Sequence, residues 1–111
     1  MTCLVNLTGH SLVLEAWDGH TVDLQSSGQV RINSEMTVVG KVEVGDVTVP
    51  LLEIREREIT GLPSPVRDVI YVVSGLASAI ADRDDVVTVS RPRREGRVVV
   101  SARALARIKT A

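Results

Sequence analysis

Lys41-Val42-Glu43-Val44-Gly45-Asp46-Val47-Thr48-Val49 is the stretch whose reading decides the fold class. Valine alternates with polar residues on both sides of Gly45-Asp46, the period of two that sends successive side chains to opposite faces of a strand. A two-residue Gly-Asp turn pairs Val44 with Val47 and Val42 with Val49 on one face, leaving Glu43 and Thr48 on the other. A second hairpin lies upstream, between Leu12 and Leu24. With Asp18-Gly19 as a two-residue turn, Glu15 would face Val22 and Leu14 would face Asp23, mixing apolar and charged groups on both faces. A three-residue loop Trp17-Asp18-Gly19, with Gly19 in the left-handed region, pairs Leu14 with Val22 and Leu12 with Leu24 instead. One face is then wholly apolar, and Glu15, Trp17 and Asp23 turn to the other.

Working outward, Cys3 to Leu7 reads as a short strand that bends at Gly9 before Ser11 to Ala16 resumes the alternation. Gln29 to Asn33 is a further strand. The segment Leu51 to Ile59 carries Glu53, Arg55, Arg57 and Glu58, as a half-exposed strand near a sheet edge would. Two prolines make Gly61-Leu62-Pro63-Ser64-Pro65 a rigid connector. Val69 to Val73 is a continuous β-branched run expected as a buried strand, and Ser74 is placed to cap a helix running to Ala81. In that helix Leu76 and Ile80 fall four apart, so both are expected to face the sheet. Asp82 to Asp85 ends it. Val86 to Val89 and Arg97 to Ser101 read as strands joined by a basic loop, Arg91 to Gly96, while the tail from Ala102 fits no single class. Some seven short strands predict an α+β, mainly β domain spanning 1–111, a small antiparallel barrel or sandwich with one short helix near residues 74–81.

Composition agrees. Twenty of the 111 residues are valine, none is Phe, and Trp17 and Tyr71 are the only aromatics, so the core must be aliphatic. Cys3 is the single cysteine, which rules out an intrachain disulfide and fits a reducing, cytoplasmic setting. The longest mainly apolar run, Val69 to Ala81, is too short for a membrane span, and no signal peptide is visible. Charge is split along the chain. Arg91, Arg93, Arg94, Arg97, Arg103, Arg107 and Lys109 against Glu95 give residues 91–111 a net +6, so residues 1–90 carry −7 of the overall −1. Such a split implies either an internal acid–base match or a basic surface for an anionic partner.

The chemistry-bearing residues are few. Nucleophile-elbow, phosphate-loop, dinucleotide-binding and paired-cysteine zinc motifs are missing, and nothing in the sequence calls for a cofactor. Cys3, His10 and His20 are too scattered for an ordered metal site. His10 can serve as a general base, but after a Thr-Gly bend it equally tethers a loop to backbone, and Asn6 and Thr8 suit the same task. Trp17 is either a stacking platform or an edge aromatic covered by another strand, the second being the simpler expectation. The basic run from Arg91 to Arg97 is where an anion would be drawn. With so few aromatics and a net charge near zero, capture of one small anion, or no ligand at all, is favoured over general nucleic-acid binding.

Val5-Asn6-Leu7-Thr8-Gly9-His10 resembles the opening of the small NLTPH family, named for Asn-Leu-Thr-Pro-His and found among phage, prophage and microbial proteins. Gly61-Leu62-Pro63, Ile70-Tyr71-Val72-Val73-Ser74, Arg83-Asp84-Asp85, Gly96-Arg97-Val98 and Arg103 resemble the family's later elements in the same order. Gly9 stands where that family has Pro, and the segment between Gly96 and Arg103 is one residue longer. The resemblance implies a phage setting rather than a mechanism, and carries over Asn6, Thr8, His10, Ser74, Arg83 and Arg103 as polar positions suited to a ligand or to a buried network. The expectation is a non-enzymatic phage or prophage accessory protein, acting in the host cytoplasm, that binds a small anionic, nucleotide-like ligand or a host factor in counter-defence. The alternatives are an interaction or structural module of a phage assembly, forming a homo-oligomer through the edge at Leu51 to Ile59, and a small hydrolase using His10 as general base.

Overall fold

Eight strands and one helix make up residues 2–109, the part of the chain that the computed structural model describes, the side chains of Glu35, Arg55, Glu56 and Arg57 excepted. They are β1 (Cys3–Asn6), β2 (Leu12–Glu15), β3 (Thr21–Leu24), β4 (Arg31–Val44), β5 (Val47–Thr60), β6 (Val69–Val72), α1 (Gly75–Ala81), β7 (Val86–Glu95) and β8 (Val98–Ala106). Six of the strands form one sheet in the order β1-β6-β7-β8-β2-β3. Its outer strands meet at a seam: Asn6 bridges Ser26, just beyond β3, and the Ser27 N–H donates to the Asn6 carbonyl over 2.8 Å. The sheet is therefore nearly closed, like a barrel, and the mainly β class with one short helix is what the chain forms.

Both hairpins have the register that apolar pairing demands. Leu12 pairs with Leu24 and Leu14 with Val22, and Gly19 closes the loop at φ +89°, a conformation open to glycine without a Cβ penalty. Val42 pairs with Val49 and Val44 with Val47 around the Gly45-Asp46 turn. Within the sheet, β1–β6, β6–β7 and β2–β8 pair parallel. Parallel pairing of β6 on both sides accounts for its unbroken Val-Ile-Tyr-Val run, because such a strand is covered on both faces.

Three local expectations are corrected. Gln29 to Asn33 and the two strands that follow are not separate short pieces: β4 and β5 each run 14 residues and pair as a separate two-stranded ribbon. Bulges between Asn33 and Glu35 and between Val38 and Gly40 absorb the breaks in alternation that suggested ends, and Pro50 is tolerated because each strand of a two-stranded ribbon is an edge. The basic segment Arg91 to Glu95 is the end of β7, not a loop, and only Gly96 and Arg97 turn the chain. Among the described residues β6 pairs with β7 only at Val86 and Val87, so Pro92 also lies on an open edge. Beyond it, the ambiguous tail continues as strand to Ala106.

The third correction concerns α1. Ser74 caps it, its hydroxyl accepting from the Ala77 N–H at 3.3 Å, but the buried face is Ala77 and Ser78, while Leu76 is half exposed. Small side chains let the helix sit close against the core formed by Leu7, Val30, Tyr71, Val73 and Val86. The Ser78 hydroxyl is buried with no hydrogen-bond partner among the described residues. Ser78→Ala should therefore stabilise the protein by about 1 kcal/mol, since it removes an unpaired buried hydroxyl and improves helix propensity. Urea unfolding would show this as a higher midpoint at unchanged slope; a lower midpoint would mean the hydroxyl is paired.

Candidate functional site

Asn6, Thr8 and His10 come together at the seam. The Asn6 side chain is fully buried and uses its hydrogen-bonding capacity: the amide donates to the carbonyls of His10 (2.8 Å) and Leu24 (2.9 Å), and its oxygen accepts from the Thr8 N–H (3.0 Å) and hydroxyl (2.6 Å). A residue of β1 thereby grips both the bend that follows it and the end of β3. The His10 ring is exposed, with Nδ1 3.2 Å from the Ser11 carbonyl; a carbonyl can only accept, so this nitrogen carries the proton and Nε2 is left facing outward.

Ser74 and Arg83 lie elsewhere. Ser74 is the cap already described. Arg83 forms a fork with Asp85, Nε to Oδ1 at 2.9 Å and Nη2 to Oδ2 at 2.6 Å, while Nη1 donates to the Pro63 carbonyl at 3.0 Å. The guanidinium hydrogen bonds hold the Asp85 carboxyl below the usual carboxylate range against the opposing effect of burial. Arg83 thus ties the turn after α1 to the Gly61-Leu62-Pro63 connector. The tail is tied to the same turn, Arg107 Nε donating to the Asp84 carbonyl and Lys109 Nζ to its carboxylate, each at 2.7 Å. The Lys109 hydrogen bond draws the Asp84 carboxyl down as well.

Arg103 stands in a different environment, a cleft of about 660 Å³ between the end of β2 and the β7–β8 pair. Such a volume suits a small molecule. It is lined by Glu15, Trp17, Ser90, Arg91 and Arg103, with Ala16, Ala104 and Ala106 among its small residues. A more apolar recess of about 260 Å³, reaching Leu4, Leu14 and Val22, shares Ala16, Arg103 and Leu105 with it.

Four observations single out this cleft as the candidate site. First, Ser90 pairs with Ala104 and Pro92 with Ala102, which brackets Arg91 and Arg103 across the strand pair although the two do not themselves pair, and both line the cleft. Second, Arg91 has φ +50° directly before a proline, a conformation that sterics disfavour there and that concentrates at functional sites. Third, the cleft's own carboxylate is already matched: Glu15 accepts from Arg93 Nε at 3.1 Å and from the Ser101 hydroxyl at 2.9 Å. Among the described residues neither Arg91 nor Arg103 has an ion pair. Fourth, Trp17 is wholly exposed at the rim (103%), not covered by another strand as the simpler sequence reading has it. Its loop is braced by Asp18, whose carboxylate accepts from the His20 N–H (3.0 Å) and pairs with its ring (2.7 Å), contacts that lower the Asp18 pKa.

Comparison with protein families, curated proteins and solved structures found no match. The cleft is therefore read from its own geometry.

Of the polar positions carried over by resemblance, the structure joins Asn6, Thr8 and His10 at the seam and puts only Arg103 in the cleft. Trp17, Ser90 and Arg91 complete it. Trp17 and the Arg91 segment stood out in the sequence; their meeting with Arg103 rests on the β7–β8 register. Among the described residues no cluster of three or more His, Cys, Asp or Glu side chains is placed to hold a metal, and no helix is long and apolar enough to cross a membrane.

Proposed function

We propose that this protein is a non-enzymatic binder of a small anionic, nucleotide-like ligand seated in the cleft between Trp17 and the Arg91–Arg103 pair. The observation that carries the reading is that Arg91 and Arg103, two planar forks without a carboxylate partner among the described residues, line one cleft with a fully exposed indole. Guanidinium groups match phosphate oxygens two bonds at a time, and an indole face stacks on a flat ring whatever its sequence identity. The neighbouring apolar recess would hold the less polar part of such a ligand. The resemblance to a phage and prophage family supports placing this binding in a phage accessory role, with the ligand, or a host factor presenting the same chemistry, withdrawn from host defence.

Thermal unfolding against nucleotides, cyclic dinucleotides and ADP-ribose derivatives tests this, with inorganic phosphate as the control. A ligand at about a hundred times its dissociation constant adds roughly 2.7 kcal/mol, a midpoint rise of several degrees for a chain of this size. Trp17 is the only tryptophan, so stacking should also change its emission directly. The double variant Arg91→Ser/Arg103→Ser is expected to bind at least tenfold more weakly, whereas Arg94→Ser, outside the cleft, should not. Absence of any midpoint or emission response, or an equal response from the double variant, would refute the reading, and recovery of the ligand as product would make the protein an enzyme.

A further inference from the structure

The β4–β5 ribbon joins the body only at its root, where Ile32 and Ile59 pack against the core. A strand of 14 residues spans roughly 45 Å, so the ribbon is an arm, and the molecule measures 57 × 38 × 27 Å. An isolated two-stranded hairpin is marginal in water and needs a third layer. Among the described residues, ten of the seventeen exposed large apolar side chains lie on this arm. Near the tip they are Val42, Val44, Val47, Val49 and Leu51, all on one face by register. Past the Val39 bulge they are Met36, Val38, Leu52 and Ile54, on the other face. Two-stranded ribbons twist strongly and a bulge adds to that twist, so the two halves of the row need not face opposite ways in space.

We propose that a second copy of this chain covers this row, the arm being a self-association element. The amount of uncovered surface is the argument. The chain exposes 8114 Å², whereas a compact monomer of this mass exposes about 6,000 Å². Its radius of gyration is 17.9 Å, against about 13 Å for a compact domain of this length. The excess, roughly 2,000 Å² per chain, is what an obligate homodimer buries. The row bears no charge, and Lys41 and Glu43, on the face opposite to its tip half, pair with each other at 3.7 Å, so the same surface can meet itself about a two-fold axis without like-charge conflict.

Sedimentation velocity of the full chain, over a wide concentration range, tests this. The wild type is expected at a multiple of 12.0 kDa and Val44→Glu/Val49→Glu at 12.0 kDa, with an unchanged circular dichroism spectrum because both side chains are half exposed. Should that variant fail to fold, Val44→Thr/Val49→Thr keeps the branched Cβ and decides the matter by the same fall in mass. A monomeric wild type would overturn the proposal, as would an oligomer that both variants preserve. Binding of a monomeric wild type to phosphatidylcholine–phosphatidylglycerol vesicles would assign the row to a membrane instead.

Discussion

Asn6→Ala is expected to destabilise the protein by roughly 3–5 kcal/mol, more than any single change on its surface. The side chain is completely buried and makes four hydrogen bonds. Its removal leaves the Thr8 N–H without a partner, at roughly 1–3 kcal/mol, takes one donor each from the His10 and Leu24 carbonyls, and opens a void where β1 meets the end of β3. Asn6→Asp has the right shape but turns two donors into an acceptor facing two carbonyls, so it should do no better. Thr8→Val, which deletes one hydroxyl, should cost only about 1 kcal/mol. Urea unfolding of the three variants gives the ranking, and hydrogen exchange at the Ser27 amide, which donates to the Asn6 carbonyl, reports whether the seam opens first. A loss below 1 kcal/mol for Asn6→Ala would mean that backbone pairing alone closes the sheet.

Gly61→Ala should cost about 2–3 kcal/mol. Gly61 has φ +87°, and a Cβ there would lie 3.0 Å from the backbone oxygen of Gln29, which cannot rotate away as a side chain can. The left-handed conformation alone costs an L-residue roughly 1–2 kcal/mol, and displacement of the Gln29 carbonyl adds to it at the root of the arm. Gly19 is the matched control, with φ +89° and nothing within 4 Å of its Cβ position. Gly19→Ala should therefore show the conformational cost without the clash, and equal losses at the two sites would refute the steric account. Glycine at position 61 is thus required by the approach of β5's exit to the start of β4.

How far the sequence could be read depended on whether partners were local. The two hairpins were legible because turn residues and alternating side chains lie within a dozen positions of each other, and a wrong register would have buried Glu15 or Asp23 against leucine or valine. Parallel pairing of β1 with β6 and of β2 with β8 was not, because nothing local specifies which distant strand fills a neighbouring place. The full length of β4 and β5 was hidden by the bulges, which break the alternation that marks a strand. In α1 the four-residue spacing of Leu76 and Ile80 suggested the buried face, but close approach favoured Ala77 and Ser78. For the cleft, residue type pointed to Arg91 and Arg103 only as members of a basic segment. Their place in one cleft follows from continuation of β8 through Ala102, the point at which the pattern became ambiguous.

The charge split is resolved in the same terms. Part of the basic C-terminal segment is neutralised internally, by Glu15 and Glu95 at Arg93 and by Asp84 at Lys109. Arg91 and Arg103, in the cleft, have no ion pair among the described residues.

The arm's attachment through its root alone makes its reach an independent variable. Two residues added to each strand near Gly45-Asp46 would lengthen it by about 6.6 Å, keep every side chain on its present face, and leave the cleft and seam where they are. One added to each strand beside the Val39 bulge would instead give half the reach and turn the tip row over. Length changes in this region are thus quantised, and such variation can alter how far the arm extends without changing the chemistry of the cleft.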